Sequence, residues 1–104
     1  MQPYAAPPDP AVPATRRTVV PKADRFSHEH ASAISKWVLN RDQARTVTVD
    51  LSHANDATTA AFATLVLLRR ALLRDGRDLR VSGLRDRAQF VYSISRLDQV
   101  LPRE

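Results

Sequence analysis

With 104 residues, 43% of them hydrophobic, and no cysteine, the chain suffices for one small core and excludes disulfides and thiolate-bound metal. Its formal net charge of +5 comes mostly from arginines interleaved with aspartates; no aromatic stacking residues separate them, and no zinc-finger, helix-turn-helix or RNA-binding signature is present, so a basic solvated face is expected rather than nucleic-acid binding. No segment approaches the ~20 apolar residues of a membrane span, and no basic start leads into an apolar run as in a secretory signal, so the expectation is a soluble, cytoplasmic protein without membrane insertion.

Residues 1–14 (MQPYAAPPDPAVPA) hold five of the seven prolines and no periodic apolar pattern, which predicts a disordered tail ahead of a domain spanning 15–104. Residues 15–20 read as a short edge strand, closed by Pro21, which cannot donate to a ladder. Ser27 then offers a cap for a helix over 28–40, where Ala31, Ile34 and Val38 recur at helical spacing and Ala33 and Trp37 widen the stripe. Residues 45–52 alternate, with Val47, Val49 and Leu51 on one side and Thr46, Thr48 and Asp50 on the other, as in a strand. A helix over 57–74 is apolar almost all round until Leu68, so its first half must be covered by the domain or by a partner. Asp75-Gly76 ends it with a residue free to turn left-handed. Residues 77–82 alternate again, with Leu79 and Val81 together. Gly83 and Leu84 lead into a last helix from about Arg85, with Ala88 and Val91 on one side and Phe90, Ile94 and Leu97 as its apolar ridge. Trp37 and Tyr92 read as core or half-buried helix residues. Strands alternating with helices predict an α/β domain with a central, mainly parallel sheet and helices packed on it.

The start of the 57–74 helix holds the residues of most chemical interest. A helix start exposes unpaired N–H groups and a partial positive charge, so it favours an anion. Thr58 and Thr59 place two hydroxyls there, and phosphorylation of either would add close to two negative charges. The same hydroxyls suit helix capping, as does the carboxylate of Asp56. Elsewhere the chemistry is sparse. His28 and His30 lie two apart in a helix and point away from each other, and nothing in the sequence brings His53 to them, so no metal site is expected. Asp50, Ser52 and His53 lack a nucleophile elbow, and with Gly76 and Gly83 as the sole glycines no phosphate-cradling loop exists. The chain is therefore read as a binding module, not an enzyme, with no catalytic residues and no cofactor.

The order of elements and several local motifs together resemble the STAS domain of bacterial anti-sigma factor antagonists and sulfate-transporter tails. Asp50-Leu51-Ser52 is similar to that family's strand ending. Thr59 stands where the family has its phosphorylatable serine, while Thr58 replaces the usual aspartate and Ala60-Ala61 the small Ser/Gly pair. The run from Leu65 to Val81, with Asp75-Gly76 inside it, resembles the family's helix, glycine turn and third strand. Ala23-Asp24-Arg25-Phe26 is similar to the Leu-Asp before the first helix, and Leu97-Asp98-Gln99-Val100-Leu101 to the closing segment, with Arg96 in place of a glycine. The resemblance implies a single STAS-like domain whose mainly parallel sheet has about four strands. It also implies protein–protein binding in a partner-switching circuit, with capture of an anti-sigma factor of the serine/threonine-kinase type. Thr59, then Thr58, are the implied phosphorylation candidates, and Asp24, Asp56, Thr58, Thr59, Ala60, Ala61 and Phe62 the implied contacts. A second implied role is a non-catalytic subunit of a lipid-transporting ABC complex that binds its ATPase subunit; the threonine and the closing Val100-Leu101-Pro102 point that way. A diverged domain that binds constitutively is a third, and the oligomeric state stays open.

Overall fold

The computed structural model describes residues 15–104, so the proline-rich segment read as a disordered tail lies outside the described residues. Strand β1 (Arg16–Val19) is followed by a two-residue strand β2 (Arg25–Phe26) and helix α1 (His28–Arg41). Strand β3 (Thr46–Asp50), a second two-residue strand β4 (Asp56–Ala57) and helix α2 (Thr59–Arg74) repeat that pattern. Strand β5 (Asp78–Ser82), helix α3 (Asp86–Ile94) and a 3-10 turn (Leu97–Gln99) complete the chain. The α/β reading holds, with element ends displaced by a residue or two.

The main sheet has the order β1-β3-β5, all parallel, with Val49 paired to Val19 on one side and Val81 on the other. Each crossover moves one place in the same direction, so crossovers of one hand leave both helices on one face. There α1 and α2 pack on each other. Between sheet and helices lies a single core of Val47, Val49, Leu79 and Val81 with Ile34, Val38, Phe62, Leu65, Leu68 and Leu72. The alternation read in the sequence is kept, with one addition. Thr48 faces away from the helices yet is only 7% exposed, because the Glu104 carboxylate reaches across to accept its hydroxyl at 3.0 Å.

The expected sheet of about four strands is corrected to three, beside a separate two-stranded pair, β2 with β4. The chain end does approach the free edge of β5: Val81 N–H donates to Pro102 O at 3.0 Å and Glu104 N–H to Val81 O at 2.8 Å. It makes one bridge, Val81 with Arg103, and Pro102 has no N–H with which to extend a ladder.

The ridge assigned to the last helix is also corrected. Phe90 and Ile94 point outward, 54% and 62% exposed, and the core face of α3 is Ala88 and Tyr92. Two anchors set that rotation. Ala88 N–H donates to Asn55 O at 3.3 Å, and Tyr92 packs edge-on against Phe62 with ring centroids 6.0 Å apart. The Tyr92 hydroxyl donates to Leu101 O at 2.8 Å. Burial raises the phenol above its ordinary 10.0, Asp98 adds to the rise and Arg103 opposes it. Because the folded value lies above the unfolded one, this contribution is complete below pH 10.0 and fades as pH climbs through the folded value. Tyr92→Phe should cost about 1 kcal/mol at neutral pH and flatten the alkaline arm of stability, as read by urea unfolding across pH.

Helix α3 ends at Ser95, and Arg96 follows with φ 52° and ψ 46°, the left-handed region. Arg96 thus adopts the conformation glycine tolerates best. Arg96→Gly should raise stability by about 1 kcal/mol, measurable as a higher urea midpoint.

Candidate functional site

The two short parallel strands bring the candidate residues together. Arg25 lies beside Asp56 and Phe26 beside Ala57. Asp24 O accepts from Asn55 N–H at 2.9 Å and Asp56 N–H at 3.2 Å, and Thr58 N–H donates to Phe26 O at 3.0 Å. The segment before α1 is thereby stitched to the segment before α2. Phe26, the one large apolar residue between Pro21 and Ala31, anchors the stitch and is fully buried. Sequence reading passed over this pairing; the isolated phenylalanine, and arginine and aspartate placed to pair, were its signals.

At the start of α2 the two threonines divide their roles. Thr58 is the N-cap, in extended conformation, and its Oγ1 accepts from Ala61 N–H at 3.0 Å. Thr59 is the first helical residue and is exposed, as is Ala60. Thr58→Ala should cost about 1 kcal/mol through the lost cap, whereas Thr59→Ala should leave thermal unfolding almost unchanged. Ala61 and Phe62 face inward, fully buried, and support this surface from beneath.

Asp56 is not the cap. Its Oδ1 accepts from Ala57 N–H at 2.8 Å, and its carboxylate pairs with Arg25 at 3.5 Å and Arg87 at 3.7 Å. Two guanidinium groups therefore converge on Asp56, three residues before Thr59. Arg87 N–H also donates to Asn55 O at 2.9 Å, so α3 is docked on the same loop. Asp24 lines an open cleft of about 270 Å³ with Lys22, Ala23 and His53.

The remaining histidines have structural partners. Ser27 N–H donates to His30 Nδ1 at 3.1 Å, so Ser27 and His30 close a capping box on α1. His28 Nδ1 lies 2.9 Å from Thr64 Oγ1 on α2. Asp50 is likewise used locally, its Oδ1 accepting from Ser52 N–H at 2.9 Å. Trp37 is half-exposed, with the Arg17 guanidinium 5.9 Å above its ring. No cluster of three metal-ligating side chains occurs among the described residues. No helix is long and apolar enough to cross a membrane among them either.

What the arrangement can do is present a hydroxyl. Thr59 sits where helix-start N–H groups favour negative charge, on a backbone held by paired strands. No family model matches the chain, and no curated protein matches it.

Proposed function

We propose that this chain is a STAS-like protein-interaction module, an anti-sigma factor antagonist in type, whose docking surface is the start of α2 and whose switch is phosphorylation of Thr59. The observation that carries the reading is the division of labour between the threonines. Thr58 is committed to the cap, while Thr59 is exposed at the first helical position with the small Ala60 beside it. The contact set is then Asp24, Asp56, Thr59 and Ala60, resting on the buried Ala61 and Phe62. The partner is a serine/threonine-kinase-like anti-sigma factor, and the setting is the cytoplasm. A phosphate on Thr59 would be favoured by the helix start, yet it would bring almost two negative charges to the face the partner must approach.

Site mapping by mass spectrometry, on protein isolated from its native cells, tests the switch. Phosphate on Thr59, retained in Thr58→Ala and lost in Thr59→Ala, is the expected result. Phosphate confined to Thr58, or none at any growth stage, overturns it.

A further inference from the structure

Helices α1 and α2 leave parallel strands side by side, and the His28–Thr64 contact fixes their mutual register near the start of α1. Their C-terminal halves therefore lie next to each other. The outer line of α2 runs Ala63, Leu67, Arg70 and Arg74, spaced four, three and four as one helix face requires, and all four are exposed. On α1, Lys36 faces out, Leu39 is 48% exposed, and Arg41 closes the last turn. Leu67, at 62%, is among the most exposed large apolar residues of the described chain.

Among the described residues every ion pair lies elsewhere, and Lys36, Arg41, Arg70 and Arg74 belong to none. Lys22, Arg45, Arg96 and Arg103 belong to none either, but Lys36, Arg70 and Arg74 flank the exposed Leu39 and Leu67. The nearby Asp42 is buried and held by Arg17 and Arg77, which leaves exposed Asp75 as the carboxylate closing α2. Cations near helix C-termini complement the helix dipole, but that role needs no leucines in water beside them. Nucleic acid would take the cations and leave Leu39 and Leu67 wet. An anionic bilayer rewards both: headgroup phosphates pair with the cations, and the apolar tips enter the headgroup–acyl boundary.

We propose that the C-terminal halves of α1 and α2 form a docking surface for anionic lipid bilayers, with Lys36, Arg70 and Arg74 on the headgroups and Leu39 and Leu67 entering the interface. Thr59 begins the same outer line of α2, eight residues or about 12 Å before Leu67, so it lies at the end of the helix away from Arg70 and Arg74. The chain would meet a lipid surface and a protein partner at opposite ends of the same helix. The assignment does not depend on what binds at Thr59.

Flotation of the purified chain with vesicles tests it, using phosphatidylcholine alone and phosphatidylcholine mixed with phosphatidylglycerol. The chain should float with the anionic vesicles only, and release in ~1 M salt. Arg70→Glu/Arg74→Glu should lower binding more than about tenfold, and Leu67→Ser should lower it at unchanged charge. Arg16→Glu/Arg80→Glu makes the same charge change on the sheet face opposite the helices and should retain binding, with circular dichroism confirming that each variant is folded. Equal loss from the two double variants would mean that net charge alone governs binding and would overturn the assignment. No flotation with either vesicle would overturn it in favour of an acidic protein surface.

Discussion

Gly83→Ala should cost the domain about 3 kcal/mol or more, while the same substitution at Gly76 should cost about 1 kcal/mol. Both glycines have positive φ, +69° at Gly83 and +74° at Gly76, so the backbone penalty is shared. The difference is space. A Cβ on Gly83 would meet the Asp50 carboxylate, and would come within 2.8 Å of Ser52 N and 2.9 Å of Ser52 Cβ, whereas nothing lies within 4 Å at Gly76. Those neighbours are the Asp50-Leu51-Ser52 turn, fixed by Leu51 N–H to Ser82 O at 2.8 Å and Ser52 N–H to Asp50 Oδ1 at 2.9 Å. The Ser52 atoms belong to the backbone or its first carbon, and the Asp50 carboxylate is pinned by Ser52 N–H, so relief requires the strand end to move. At Gly76 the left-handed residue completes a Schellman motif, in which Arg77 N–H donates to Leu72 O at 2.9 Å and Gly76 N–H to Leu73 O at 3.1 Å. Urea unfolding of the two variants checks the contrast; equal losses would mean the close approach at Gly83 is not maintained.

The second large effect is expected at Asp42. Its side chain is 2% exposed and lies 3.1 Å from Arg17 Nε and 3.6 Å from Arg77 Nη2. Arg77 is itself 11% exposed and gives its Nε–H to Ala44 O at 2.7 Å. Asp42 Oδ2 and Arg77 Nη2 make no hydrogen bond, so they are held in the interior mainly by their mutual charge. Removing the carboxylate leaves a buried guanidinium without a counter-ion. Asp42→Ala should cost about 3 kcal/mol, a large share of the ~5–15 kcal/mol of a small domain. The loss should persist in ~1 M salt, because buried pairs are screened much less than exposed ones. A loss that vanishes in salt would show the pair to be a solvated one.

Much of this architecture is legible in the residues because it follows from period. Val47, Val49 and Leu51 repeat at two, and Leu65, Leu68 and Leu72 repeat at three and four; both sets are buried. Gly76 ends its helix where the turn chemistry requires. Period fails where an element is too short to have one. The β2–β4 pair has two residues a side, and only tertiary contact shows that Phe26 and Ala57 belong together. It fails again on α3, where Phe90–Ile94 and Ala88–Tyr92 share the same spacing of four. The choice between them rests on a loop carbonyl, Asn55 O, and on the Phe62 ring, neither of which a local pattern can reveal. At the site, the sequence places two hydroxyls at a helix start but leaves the cap undecided among Asp56, Thr58 and Thr59. The geometry separates them, because Thr58 alone is extended with its oxygen on Ala61 N–H.

The central claim, that a partner docks at the start of α2 under control of Thr59, is tested most directly by affinity capture from native lysate with wild type, Thr59→Ala and Thr59→Asp. Bound proteins would be identified by mass spectrometry. The predicted result is a kinase-like anti-sigma factor that is retained by wild type and Thr59→Ala and lost with Thr59→Asp. Equal recovery of a transporter ATPase subunit by all three chains would contradict the switch, and would leave a structural-subunit role in its place.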